Sequence, residues 1–185
     1  LRYTMAICHS ISNRPHKMLL ELEKAEKLCL KSGAQVLMAD ILMNRAFFFE
    51  SRGNLSLSIA YSKQAALLYQ YLGLGKNEAW AFSEIGAKLN LMGEIQQAGT
   101  AFQKAHELMN KQNDRQLLNE INFRMALLHV SIGQIPQARN LFEEIIKNSN
   151  KDNAPSHYIS IACAYATTMC ASDEFDALYK RAQEA

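Results

Sequence analysis

The sequence has no hydrophobic run long enough to cross a membrane, and its longest apolar block, residues 46–49, is short. Its first residues show no signal-peptide pattern. Neither sign of charge dominates, because 20 Lys and Arg stand against 18 Asp and Glu, which gives a formal net charge of +2. The basic residues are scattered along the chain, whereas a nucleic-acid-binding protein concentrates them. We therefore expect a cytoplasmic protein that neither inserts into a membrane nor binds nucleic acid through this segment.

Residue patterns that carry chemistry are also scarce. The four cysteines include no CxxC pair, which favours buried, reduced thiols. Residues 73–76 read Gly-Leu-Gly-Lys but lack the spacing of a phosphate-binding loop, and no strand precedes them. No His, Cys or acidic group has the spacing of metal ligands, and no nucleophile lies beside a recognisable base. We expect no catalytic residue, no metal site and no cofactor, and hence no enzyme.

The sequence contains turn-forming residues at regular intervals. Residue types that tolerate a left-handed backbone recur every 20 positions, in two interleaved series with a period of 40. A tight turn or a helix C-cap needs such a residue, so the interval predicts helices of similar length separated by short turns. The two series are Asn13, Gly53, Gly93, Gly133, Asp173, and Gly33, Gly73, Asn113, Asn153.

Between these turns the apolar residues follow a helical period. Ile95, Ala98, Phe102 and Ala105 share one helix face, and strand-like alternation does not persist anywhere. We predict an all-α chain of antiparallel hairpins, each with a first (A) and a second (B) helix. The A helices are predicted at 34–51, 75–92, 114–131 and 155–171, and the B helices at 15–31, 55–72, 95–112 and 135–149. A small residue recurs every 40 positions in the A helices, where two helices could approach closely: Ala6, Ala46, Gly86, Ala126, Ala166.

This pattern resembles the tetratricopeptide (TPR) repeat family, with the best match at Gly86, Ala98, Phe102 and Ala105. The usual TPR period is about 34 residues. A period of 40 resembles the longer arrays of bacterial regulators of the maltose-regulator and LuxR type, and the arrays that precede diguanylate cyclase domains. The resemblance implies an α-solenoid with a right-handed superhelix. We expect residues 1–185 to form one array, as a fragment of a larger chain, with hairpins at about 1–32, 33–72, 73–112, 113–152 and 153–185.

In TPR arrays the A helices line a concave groove, and the resemblance places a partner-binding site there. Phe47 and Phe123 could equally anchor a ligand or pack between hairpins, whereas Trp80 favours ligand contact because it precedes the core position Phe82. Glu84 and Arg124 could approach as an ion pair. The predicted groove residues are Asp40, Asn44, Phe47, Trp80, Glu84, Asn90, Glu120, Phe123, Arg124.

The resemblance implies a binding module rather than an enzyme. The partner would be a protein or peptide segment, and one candidate is the output domain of the chain's own protein. We expect the sensory or regulatory part of a bacterial signalling protein or transcriptional regulator. The alternative is a passive scaffold that holds partners together without any regulatory output.

Overall fold

A computed structural model describes residues 3–6, 15–112 and 114–149 of the chain, and these residues form helices joined by short turns. Residues 3–6 are helical, and no strand occurs within the described ranges. The predicted all-α fold class is therefore confirmed. The longer helices are α1 Pro15–Ser32, α2 Gln35–Ser51, α3 Leu55–Tyr71, α4 Gly75–Leu91, α5 Ile95–Gln112, α6 Arg115–Ser131 and α7 Ile135–Ser149.

The predicted helix bounds agree with these helices to within one residue. The A helix predicted at 34–51 is α2, and the B helix predicted at 55–72 is α3. The A helix predicted at 155–171 and the last hairpin, 153–185, lie outside the described residues. The agreement follows from the turns, because the turn residues fix where each helix stops.

The five turn glycines, Gly33, Gly53, Gly73, Gly93 and Gly133, all have φ between +69° and +78°. At Gly73 the glycine N–H donates to the carbonyl of Gln70 (3.1 Å), and the N–H of Leu74 donates to Tyr69 O (2.9 Å), so the left-handed residue caps the end of α3. The prediction of a left-handed turn is confirmed at these glycines. The turn residues Asn13, Asn113, Asn153 and Asp173 lie outside the described residues.

Replacing Gly73 with alanine is expected to lower the free energy of unfolding by about 1 to 2 kcal/mol, because an L-residue is strained at this φ. No described atom lies within 4 Å of the added Cβ, so the loss comes from the backbone alone. Gly73→Asn is the matched control, since asparagine adopts positive φ more readily, and it should lose less. Urea denaturation of both variants measures the difference. Equal losses would contradict a backbone origin.

The chain divides into two compact units, Leu1–Ala101 and Phe102–Ala185. In the first unit, α2 contributes to two apolar cores, one shared with α1 and one shared with α3 and α4. The first core consists of Ala6, Met18, Leu22, Ala25, Cys29, Ile41 and Phe48. The second consists of Ala39, Leu42, Met43, Ala65, Ala66, Tyr69 and Ala81. Helix α2 thus packs against apolar residues on two sides. The part of its surface outside these two cores can carry the side chains of a binding site.

The predicted close helix approach is visible between α2 and α3. Ser58 Oγ donates to the backbone carbonyl of Ala46 at 2.7 Å, and both residues are fully buried. A hydroxyl can reach the carbonyl of another helix only where the two backbones lie close together. The equivalent residues Ala6, Gly86 and Ala126 are also buried, whereas Ala166 lies outside the described residues.

The second unit has its own apolar residues. In its described part, α6 and α7 bury residues at helical spacing, including Ile121 and Leu128 on α6 and Ala138 and Ile145 on α7. The rings of Phe123 and Phe142 meet edge to face, with centroids 6.0 Å apart. Helices α6 and α7 therefore form the antiparallel hairpin predicted for this part of the chain.

Candidate partner-binding face

Several of the predicted groove residues lie together in the first unit, on neighbouring A helices. The ring centroids of Phe47 on α2 and Trp80 on α4 are 5.5 Å apart. Helical spacing places Asp40 and Asn44 on the same side of α2 as Phe47. We call this surface the A-helix face, and it consists of Asp40, Asn44, Phe47 and Glu50 of α2 with Trp80, Glu84 and Lys88 of α4.

The aromatic pair packs against the core and is still partly exposed. Phe47 and Trp80 are half-buried, and both pack against the second core, as Phe82 does. Each ring therefore stabilises the stacking of hairpins and still keeps part of its surface exposed. Trp80 is thus a packing residue as well as a candidate contact.

An ion-paired lysine lies beside the aromatic pair. Lys88 has no exposed surface, and its Nζ lies 2.7 Å from Glu84 Oε2 and 3.0 Å from Glu50 Oε2. The same Nζ lies 5.4 Å from the centroid of the Phe47 ring, in cation–π range. A lysine is almost never fully buried unless it is paired. Lys88 thus lies within ion-pair distance of carboxylates on both α2 and α4.

Lys88 was missed in the sequence analysis, although the repeat contains a signal for it. Phe48 and Leu128 stand 40 residues before and after Lys88, and both are buried. The register therefore assigns position 88 to the interior, where a lysine needs carboxylate partners. Glu84, four residues earlier on the same helix, is one of them.

The other end of the A-helix face is a hydrogen-bonded polar group. Tyr69 Oη donates to Asp40 Oδ1 at 2.7 Å, and Asn44 Nδ2 donates to Tyr3 Oη at 3.0 Å and to the Asp40 carbonyl at 2.8 Å. Burial, and then the nearby Asp40, raises the pKa of both Tyr69 and Tyr3 above the usual range for tyrosine. Both phenols therefore stay neutral, and the Asp40 carboxylate is held in place by a donor.

The other predicted groove residues are Asn90 on α4 and Glu120, Phe123 and Arg124 on α6. Asn90 is half-buried in the last turn of α4. Arg124 Nη2 pairs with Glu120 Oε1 at 2.8 Å within α6, and each side chain is about one quarter exposed. Phe123 packs on the buried Phe142, which supports its packing role. The predicted ion pair between Glu84 and Arg124 stays a prediction.

Two other kinds of site were sought in the described residues. Within residues 3–6, 15–112 and 114–149, no three His, Cys, Asp or Glu side chains gather as a group that could hold a metal ion. In the same ranges, no helix combines the length and the apolar character that a bilayer crossing requires. The A-helix face is a candidate site because it brings aromatic, amide and carboxylate groups side by side.

The helical hairpins, their left-handed turns and their close crossings define a TPR-like helical repeat protein. Residues 24–160, about three quarters of the chain, match the family model described as soluble NSF attachment protein, SNAP, and the chain belongs to this family. The TPR-like fold expected from the repeat is confirmed. A comparison with curated proteins finds no match to this sequence.

Solved structures share the fold at low sequence identity. The TPR-like repeats of a Podosopora anserina kinesin light chain align with a TM-score of 0.74 and 11% identity over 99% of this chain and 92% of that one. The apo form of RapI aligns with a TM-score of 0.84 and 10% identity over 99% and 67%. A Rap protein complexed with competence and sporulation factor aligns at 0.76 and 14% over 99% of this chain. This chain spans about half of that Rap protein, 52%.

Proposed function

We propose that this chain binds an extended protein or peptide segment on the A-helix face and acts as the sensory or regulatory part of a bacterial signalling protein or transcriptional regulator. One observation carries the proposal: two partly exposed aromatic rings lie between the hydrogen-bonded group of Asp40 and the ion-paired cluster of Lys88. An apolar anchor flanked by fixed polar groups is a common arrangement for recognising a peptide.

The charges of the face indicate which segment would fit. Asp40 and Glu50 contribute two half-buried carboxylates, whereas Glu84 and Lys88 are buried and paired with each other. A partner carboxylate would meet like charge here, whereas an arginine or lysine would meet opposite charge beside aromatic rings. The segment would therefore carry an apolar side chain next to a basic one. In support of a regulatory partner, one structure with the same fold is a Rap protein complexed with competence and sporulation factor.

Trp80→Ala is expected to weaken peptide binding by about ten-fold or more, because an aromatic ring that a bound peptide covers contributes strongly to affinity. The probes are short synthetic peptides with a central leucine between two arginines, and the same peptides with glutamates instead. Calorimetric titration should show binding of the basic peptide only. Tyr71→Ala, which removes an aromatic ring 76% exposed on α3, is the matched control and should bind like the wild type. Preference for the acidic peptide, or full affinity in Trp80→Ala, would contradict the proposal.

The scaffold alternative is favoured by the family description itself, which is that of an attachment protein. A passive scaffold should show hydrogen-exchange protection confined to the A-helix face when the basic peptide binds. A regulatory module should show changes in helices that do not contact the peptide as well. Amide exchange with and without the peptide therefore separates the two functions.

A further inference from the structure

The outer face of α1 carries a stripe of lysines and leucines. At about 100° per residue, its members fall within a sector of roughly 100°. Leu20 and Leu28 are 50% and 55% exposed. The stripe consists of Lys17, Leu20, Lys24, Lys27, Leu28 and Lys31, and we call it the lysine–leucine stripe. These lysines are scattered along the sequence, whereas the helix aligns them on one face.

The stripe points away from the interior of the protein. The buried residues of α1, among them Leu22 and Cys29, lie on the opposite side of the helix, in the first core. The stripe itself contains no acidic residue. Lys24 pairs with the buried Glu21 at 2.7 Å, whereas Lys17, Lys27 and Lys31 are exposed. The outer face of α1 therefore presents four lysines and two leucines, with the exposed Glu23 at its edge.

Helix α3 presents exposed apolar residues at two positions that correspond, in the 40-residue register, to lysines of the stripe. Leu67 and Tyr71 are 66% and 76% exposed, and they stand 40 residues after Lys27 and Lys31. Arg45 of α2 joins the two helices, because its guanidinium pairs with Glu26 of α1 and donates to Tyr61 Oη of α3 at 3.4 Å. Basic residues on α1 thus have exposed apolar residues on a neighbouring helix.

We propose that the lysine–leucine stripe, together with Leu67 and Tyr71, docks the protein on a membrane surface rich in anionic lipids. Lysine ammoniums are attracted to a negatively charged bilayer surface, leucines can enter the boundary between headgroups and acyl chains, and tyrosine favours that boundary. The helix remains packed in the protein and lies on the bilayer without crossing it.

Two features favour lipid over other anionic partners. All four basic residues of the stripe are lysines, whereas recognition of carboxylates on a protein favours the bidentate geometry of arginine. The exposed leucines lie among the lysines. A nucleic-acid backbone presents only phosphate and sugar, so it would offer these leucines no apolar partner. This surface belongs to the B helices and contains no residue of the A-helix face, so the proposal does not depend on the proposed peptide binding.

Vesicle sedimentation tests the proposal directly. The full chain should bind vesicles of phosphatidylcholine mixed with phosphatidylserine, bind weakly to phosphatidylcholine alone, and dissociate as salt is raised. The triple variant Lys17→Gln, Lys27→Gln, Lys31→Gln should lose roughly a hundred-fold in partitioning to the anionic vesicles. The matched control Lys76→Gln, Lys104→Gln, Lys111→Gln changes the net charge equally and should bind like the wild type.

A second variant tests whether the partner is a lipid bilayer or only a negatively charged molecule. Leu20→Ser with Leu28→Ser keeps every charge, and it should weaken vesicle binding several-fold while circular dichroism stays unchanged. Lack of wild-type binding to the phosphatidylserine vesicles would overturn the proposal. So would equal losses in the two lysine triple variants, or lysine-dependent binding to polyglutamate or duplex DNA in the absence of vesicle binding.

Discussion

Replacing Lys88 with methionine is expected to lower the free energy of unfolding by about 3 to 5 kcal/mol, a large share of the stability of an ordinary domain. Methionine replaces the apolar part of the lysine side chain but removes the ammonium that lies between Glu84 and Glu50. The repulsion and the burial of the Glu84 carboxylate both act against the folded state. Urea denaturation followed by circular dichroism measures the loss.

The cause of this loss can be separated from simple loss of packing. Lys63→Met changes an exposed lysine on α3 and should leave the denaturation midpoint nearly unchanged. Lys88→Met combined with Glu84→Gln should recover part of the lost stability, because the second change removes a buried charge. A double variant as unstable as Lys88→Met alone would show that the carboxylate is not responsible.

Ala46→Leu should destabilise the first unit by about 1 to 3 kcal/mol or more, because it inserts three carbon atoms where two helices nearly touch. Ala46 has no exposed surface, and its carbonyl accepts the Ser58 hydroxyl bond across the α2–α3 crossing. The larger side chain would push the helices apart and weaken that hydrogen bond. The thermal midpoint and the urea midpoint should both fall.

The control for this prediction is Ala60→Leu, which adds the same atoms on the exposed side of α3. Leucine and alanine are both good helix formers, so this change should have little effect. If Ala46→Leu were as stable as Ala60→Leu, the crossing would have room for a large side chain, and the period of small residues would need another explanation.

The positions of the helices could be predicted from the sequence because their ends are set locally. A glycine such as Gly53 or Gly93 stops a helix through its own backbone, whatever surrounds it. The 20-residue interval therefore locates both ends of each helix. Which helices pack against each other depends on contacts between side chains. The small residues of the repeat predict such contacts only at close crossings such as the one at Ala46.

The candidate site could be predicted less completely. The period of 40 and the helical spacing placed Phe47 and Trp80 on corresponding sides of their helices, and the two rings are in contact. The polar environment depends on contacts between distant segments. Tyr3 reaches Asn44 from the start of the chain, and Lys88 lies in the interior although lysines are usually solvated. A helical register alone does not specify such pairs.

Trp80 is the single tryptophan of the 185 residues, and it lies on the A-helix face with its indole partly exposed. The intrinsic fluorescence of the protein at tryptophan wavelengths therefore originates at this one position. A ligand that covers the ring should shift the emission to the blue, and separation of α2 from α4 should shift it to the red. The chain thus carries a built-in optical reporter, and contact at this surface can be followed in real time without a dye.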